Sequence, residues 1–225
     1  MMENAESLYE KYRPAKLSDL VGHAEAKRQI RTAWKRGWGG RAYWISGPSG
    51  VGKTSLARII AYHGADDFYV TEYDSADCIT ADELWWIEDC MGLYGGARGG
   101  RVYIINEAHG LRADIVRRLL GILERLPSHT VFIFTTTQAG QKHLFDNKID
   151  ASPLVSRCLQ IELTNSTALR IAFAKHCRAI ASIEALNGQP LAAYVDLARD
   201  CGNNMRMMLQ AVESGKMKKT VRKGK

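Results

Sequence analysis

A chain of 225 residues with 46% hydrophobic side chains can bury one core domain and a small second one, which excludes wholesale disorder. No apolar run approaches the roughly 18–20 residues needed to span a bilayer, and the polar, acidic start from Met1 to Glu10 is not that of a signal peptide. The formal charge of +7 is mostly terminal: residues 216–225 hold six of the 31 basic residues and no acid, leaving 25 basic against 24 acidic residues, or +1, for the rest.

In chain order, Tyr9-Glu10-Lys11-Tyr12-Arg13-Pro14 comes first. Pro14 disfavours the helical region for Arg13, so the segment reads as an extended strap rather than a helix. Leu17, Leu20 and Val21 follow at helix-like spacing, then a helix from about Glu25 to Arg36, broken by Gly37-Trp38-Gly39-Gly40. Arg41 to Ser46 reads as a buried strand. It runs into Gly47-Pro48-Ser49-Gly50-Val51-Gly52-Lys53-Thr54, which has the spacing G-x-x-x-x-G-K-T of a phosphate-binding loop, and Ser55 to His63 reads as the helix after it. Strand, glycine-rich turn and helix N-terminus together make an anion site: inward N–H groups add to about half a positive charge from the helix dipole. Ser49, Gly50, Val51, Gly52 and Ser55 are candidate backbone and hydroxyl contacts, Lys53 would reach the β- and γ-phosphates, and Thr54 would ligate Mg²⁺.

Phe68 to Tyr73 reads as a second strand, and Thr80-Ala81-Asp82-Glu83 as a capping box opening a helix with Leu84, Trp85, Ile87 and Met91. The adjacent Trp85 and Trp86 read as core or subunit contact. Gly92 to Gly100 reads as a loop. Val102 to Ile105 is an apolar strand that ends in Asn106-Glu107, where a phosphate-loop ATPase carries an acidic pair, one residue ordering Mg²⁺ and the next polarising the attacking water. Ala113 to Glu124 reads as an amphipathic helix with Arg112, Arg117 and Arg118 on its polar side. Val131 to Thr137 is a buried strand ending in hydroxyls, and Leu159 to Leu163 a last strand. Three helices follow: one capped by Asn165 or Ser166, one begun by Pro190, and one capped by Asn203 and carrying Met205, Arg206, Met208, Leu209 and Val212. Cys78, Cys90, Cys158, Cys177 and Cys201 form no C-x-x-C pair, which argues for neither a zinc site nor a disulfide framework and makes a cytoplasmic location the default.

Several pieces in one order resemble the AAA+ ATPase subunits of DNA-polymerase clamp loaders: the bacterial gamma/tau subunit, the small subunits of replication factor C, and phage loaders. They are Lys11-Tyr12-Arg13-Pro14 with Asp19-Leu20-Val21-Gly22, the phosphate loop at 47–54, Ile104 to His109, Leu120 to Glu124 with Pro127, Phe134 to Thr137, Ser156-Arg157-Cys158, and Gly202 to Arg206. The resemblance implies a five-stranded parallel sheet flanked by helices in 1–163 and a small all-helical lid in 164–215, while the composition of 216–225 reads either as a disordered basic tail or as a segment that binds nucleic-acid phosphates. It implies ATP and Mg²⁺ as cofactors. It also implies an adenine pocket at Tyr12, Arg13 and Val21, a γ-phosphate sensor at Thr137, and Glu107 as the residue activating water. Arg157 would be a finger reaching the neighbouring subunit's ATP, and Arg206 a lid arginine on the same subunit's phosphates. The implied partners are further AAA+ subunits, identical or not, the DNA phosphate backbone without sequence preference, and a sliding clamp or other replication factor, with no membrane. Arg98, Arg112, Arg117 and Arg118 are the candidate DNA contacts of the body.

Two departures matter. Asn106 stands where the family has aspartate, which predicts weaker Mg²⁺ binding, slow hydrolysis, and a rate gain in Asn106→Asp. The sequence reads as lacking the family's collar domain after the lid and its zinc module, which leaves three expectations: a ring held by ATPase domains and DNA alone, a collar supplied by a separate partner, or a different job. A nucleotide-dependent scaffold with low turnover is the competing reading; a helicase loader or branch-migration motor fits Ser-Arg-Cys and Thr-Thr-Thr less well.

Overall fold

The computed structural model describes residues 6–137 and 152–218. Residues 138–151, which follow the candidate sensor Thr137, and residues 219–225, most of the basic tail, lie outside the described residues. The described chain forms two compact units. One comprises 24–48, 53–137 and 152–163; the other comprises 6–23, 49–52 and 164–218.

The larger unit is built on five parallel strands: β1 (Arg41–Ser46), β2 (Ala65–Tyr73), β3 (Gly100–Ile105), β4 (Thr130–Thr136) and β5 (Cys158–Glu162), in the order β2-β3-β4-β1-β5. The central strands are apolar at successive positions because helices cover both faces. Trp44, Tyr103, Ile105, Phe132 and Phe134 point into one layer, packed under α4 (Ala81–Cys90), α5 (Ala113–Glu124) and α6 (Ser152–Ser156) through Leu84, Ile87, Ile115, Leu119 and Leu154. Their rings touch in series, with centroids 5.7 Å apart for Trp44–Phe134 and 5.0 Å for Tyr103–Phe132. The alternate residues, Tyr43, Ile45, Val102, Ile104 and Ile133, are fully buried on the other face, where α3 (Lys53–Gly64) packs across β1 to β4 and α2 (Ala24–Trp34) against β5.

Register decides where function sits. Ser46 of β1 aligns with Thr136 of β4, and Ile105 of β3 with Phe134 of β4. Gly47, Asn106 and Thr137 therefore leave the sheet at one edge, the C-terminal ends of adjacent strands, where open α/β sheets bind ligands.

The smaller unit packs α7 (Thr167–Ile183), α8 (Leu191–Asp200) and α9 (Met205–Glu213) around Phe173, Cys177, Tyr194, Leu197, Met208 and Val212. The N-terminal segment belongs to it: Leu8 is buried and α1 (Leu8–Lys11) lies on α9. This corrects the extended reading of the strap. Proline restrains only the residue before it, so Arg13 is non-helical while the turn before Tyr12 closes as a helix. Leu17 and Leu20 are buried in turns rather than in a helix. The cap of α9 is Asn204, whose side chain accepts from Met207 N at 3.1 Å, and not Asn203. Asn203 takes a left-handed conformation (φ 59°), which asparagine tolerates, and its amide accepts from Arg170 Nε at 3.2 Å and donates to Asn165. Residues 216–218 continue in turns with Met217 buried, so the folded part runs past 215. Trp85 and Trp86 are exposed on α4 and are not core.

Candidate functional site

The phosphate loop has the backbone its glycines predict. Gly47, Gly50 and Gly52 have φ of 150°, 73° and 109°, and a Cβ on Gly47 would lie 2.4 Å from Leu163 O. Lys53 is buried at the start of α3, and its ammonium donates to Gly47 O and Pro48 O at 2.9 Å each. The side chain is thus folded back over the turn, with its charge at the loop. Thr54 and Ser55 are half-buried in the first turn of α3.

The tip of the loop, Ser49–Gly52, groups with the helical unit. Met205 N donates to Gly50 O at 3.1 Å, His23 Nε2 lies 3.0 Å from Val51 O, and the Asn204 side chain sits where a Cβ on Gly50 would be. Arg206 therefore follows directly on the residue that ties α9 to the loop, and its guanidinium stacks 5.2 Å from the Tyr9 ring centroid. In the same unit the Tyr12 hydroxyl donates to Glu184 at 2.5 Å, which raises its pKa, and Arg13 pairs with Glu10. Val21 is half-buried beside them in sequence.

At the ends of β3 and β4 the predicted residues form one network. Asn106 is buried. Its Oδ1 accepts from Thr135 Oγ1 at 2.9 Å, and its Nδ2 donates to Glu72 Oε1 at 2.9 Å and to Tyr73 O at 3.3 Å. Glu107 is held at φ 49°, ψ 48°, a left-handed conformation rare for a residue with a side chain and concentrated at functional sites. Its Oε2 lies 3.4 Å from Thr137 Oγ1 and 3.4 Å from His109 Nδ1. The candidate water-activating carboxylate and the candidate sensor hydroxyl are thus in contact.

Sequence reasoning missed Glu72 and His109. Glu72 is the last residue but one of a mixed strand, and the available signal is an acid near the C-terminal end of a strand in the same sheet as the loop strand. Glu72 also accepts from Arg58 Nε at 2.7 Å.

For Mg²⁺, Thr54 offers a hydroxyl and Asn106 an amide backed by the Glu72 carboxylate. Among the described residues no cluster of three or more His, Cys, Asp or Glu side chains could hold a metal alone. That donor set fits an ion held jointly with a ligand's phosphates rather than in an all-protein cage.

Arg157 is placed elsewhere. It precedes β5, and Cys158 aligns with Ala42 at the start of β1, so Arg157 lies at the opposite edge of the sheet from Gly47. The span from Ala42 to Ser46 alone is roughly 13 Å at about 3.3 Å per residue. There it donates to Glu124 Oε1 at 2.5 Å and to Pro153 O at 2.9 Å. Among the candidate DNA contacts, Arg98, Arg112 and Arg118 are paired with Asp66, Asp114 and Glu88, while Arg117 is exposed with no such partner among the described residues. Burial pushes the Cys158 and Cys177 thiols up to about 12, and all five cysteines are free. Among the described residues no helix is long and apolar enough to cross a membrane.

No family model matches the chain. It is 30% identical to DNA polymerase III subunit tau of Bacillus subtilis over 74% of this chain and 32% of that protein. It is likewise 30% identical to the Escherichia coli K12 subunit tau over 92% of this chain and 35% of that protein. The Mycobacterium tuberculosis H37Rv gamma/tau subunit matches at 31% over 59% of this chain and 27% of that protein. The chain thus spans about a third of the length of these curated relatives. Among solved structures, a point mutant of Thermotoga maritima RuvB superposes with a TM-score of 0.70 at 21% identity, covering 90% of this chain and 65% of that one. The RuvB Holliday junction branch migration motor of that organism scores 0.68 at 21% identity, over 90% and 64%. These structures speak for the fold alone.

Proposed function

We propose that the chain, which is similar to the gamma/tau subunits of bacterial DNA polymerase III over about a third of their length, is an ATP-hydrolysing AAA+ subunit that assembles with further AAA+ subunits around DNA to load a sliding clamp or a similar replication factor. In this reading the backbone of Ser49 to Gly52 with Lys53, Thr54 and Ser55 takes the phosphates, and Tyr12, Arg13 and Val21 take the adenine. Bound Mg²⁺, held by Thr54 and the Asn106 position, would neutralise phosphate charge. Glu107 orients and deprotonates the attacking water, Thr137 reads the γ-phosphate, and Arg206 follows the nucleotide from the lid.

The observation that carries the proposal is the separation of Arg157 from its own phosphate loop. In this reading an arginine at the far edge of the sheet from its own loop serves the site of an adjoining copy. Its ion pair with Glu124 is a local resting place from which a phosphate can take it. Such a finger contributes roughly 10³–10⁵ in rate in comparable nucleotide hydrolases. DNA would be held through phosphates, and of the four candidate arginines Arg117 is the exposed one with no ion pair among the described residues.

The test is native mass measurement with a slowly hydrolysed ATP analogue, with and without primer–template DNA. Nucleotide-dependent oligomers that gain DNA, together with ATPase activity stimulated by primed DNA, are the expected outcome. A chain that stays monomeric and binds no nucleotide contradicts it. Asn106, neutral where a phosphate-loop ATPase uses an acid to hold Mg²⁺, favours one second reading: a scaffold that binds ATP to oligomerise and turns it over slowly. Stable ATP-bound oligomers whose turnover is negligible and indifferent to DNA would select it.

A further inference from the structure

We propose that Glu72 carries the negative charge that Asn106 lacks, so that the Glu72–Asn106 pair, and not residue 106 alone, is the acidic element ordering Mg²⁺ beside Thr54. The inference rests on the ATPase reading and concerns residues of the α/β unit only.

Three observations bring Glu72 to the metal position. Its side chain is mostly buried (16% exposed) at the C-terminal end of β2, where Glu72 aligns with Ile104 of β3, two residues before Asn106. Its Oε1 accepts the Asn106 amide proton at 2.9 Å, so the carboxylate meets the side chain that would face the metal. Its Oε2 accepts from Arg58 Nε at 2.7 Å, and Arg58 stands four residues after Thr54 on α3. Residues four apart share a helix face, about 5–6 Å between their Cβ atoms. The carboxylate thus pairs with a side chain that is rooted one helical turn after the candidate Mg²⁺ hydroxyl.

The same geometry explains why asparagine stands at 106. An aspartate there would set a second carboxylate roughly 3 Å from Glu72, and two carboxylates at that distance do not both stay ionised. The amide resolves the conflict by donating to Glu72 while its oxygen accepts from Thr135. One negative charge is kept in the pair and has moved from β3 to β2. This revises the expectation drawn from the sequence: Asn106→Asp alone adds repulsion rather than a free acid.

The readout is the Mg²⁺ concentration needed to tighten binding of a fluorescent ATP analogue, compared with binding in EDTA. Glu72→Gln should bind the analogue normally in EDTA and need about 10–100-fold more Mg²⁺, the usual loss on removing a partner that supports a metal ligand. The exchanged pair Glu72→Gln with Asn106→Asp keeps one charge and should return to within a few-fold of the parent. Arg58→Met removes the ion pair but keeps the carboxylate and should leave the Mg²⁺ midpoint in place. An unchanged midpoint in Glu72→Gln, no recovery in the exchanged pair, or an Arg58→Met shift equal to that of Glu72→Gln would each overturn the inference. Should Glu72→Gln fail to fold, an exchanged pair or an Arg58→Met variant that needs about 10-fold more Mg²⁺ than the parent overturns the inference, and midpoints within a few-fold of the parent in both uphold it. A parent chain that binds no analogue under any condition would instead sink the ATPase reading itself.

Discussion

The two edges of one sheet are built differently. At the C-terminal edge, Lys53, Asn106 and Thr135 are buried and bonded into the strand ends, and Glu107 is locked in a left-handed turn against Thr137 and His109. At the N-terminal edge, Arg157 rests on an exposed pair with Glu124, whose side chain is 59% accessible. Buried, bonded polar groups cost about 1–3 kcal/mol to orphan, whereas an exposed ion pair contributes about 0–1 kcal/mol. One edge is therefore fixed by the fold, while the other holds a charge that an incoming phosphate can take over. That is the division of labour expected if the first grips a nucleotide and the second acts on another copy's.

The comparison breaks most readily at Arg157. Arg157→Ala should leave nucleotide affinity unchanged and lower turnover of the assembly by roughly 10³-fold or more, read from steady-state ATPase rates beside a binding titration. If affinity falls instead, the residue serves its own chain. Next in size, Lys53→Ala removes a buried cation at the fixed edge and should cost about 2–5 kcal/mol of nucleotide binding, measured by calorimetry, with the fold retained. Asn106→Leu removes the donor to Glu72 Oε1 and the acceptor of the Thr135 hydroxyl and should lower stability by about 1–3 kcal/mol, seen as an earlier denaturant midpoint at unchanged slope. Smallest is Glu124→Gln, which releases Arg157: stability should move by less than about 1 kcal/mol, and the assembly's turnover should rise by a factor of a few. A stability loss as large as that of Asn106→Leu would mean the two edges do not differ in the way described.

Much of the fixed edge is legible in the sequence, because it is written in local pattern. The apolar runs at 41–46, 102–105 and 131–137, and the glycine spacing of 47–52, each report a strand or turn directly, and parallel register then places Gly47, Asn106 and Thr137 together. Glu72 is not legible in that way. Its role depends on which strand lies beside β3, and β2 is next to it in space although Gly100 comes 27 positions after Tyr73. The resting partner of Arg157 is hidden for the same reason, since Glu124 lies 33 residues away. The corrections in the helical unit are local. Pro14 restrains Arg13 but not the helical turn before it, and the cap of α9 falls on the second of two adjacent asparagines, while the first, Asn203, makes the left-handed turn.

The central claim is that the loop at 47–54 of one copy is completed by Arg157 of the next. Mixing two silent variants tests it most directly: Lys53→Ala, which keeps the arginine but loses the phosphate grip, and Arg157→Ala, which keeps the grip but loses the arginine. The account predicts that the mixture hydrolyses ATP well above the sum of the two variants alone, because some interfaces then pair an intact loop with an intact arginine. A mixture no more active than that sum would contradict it.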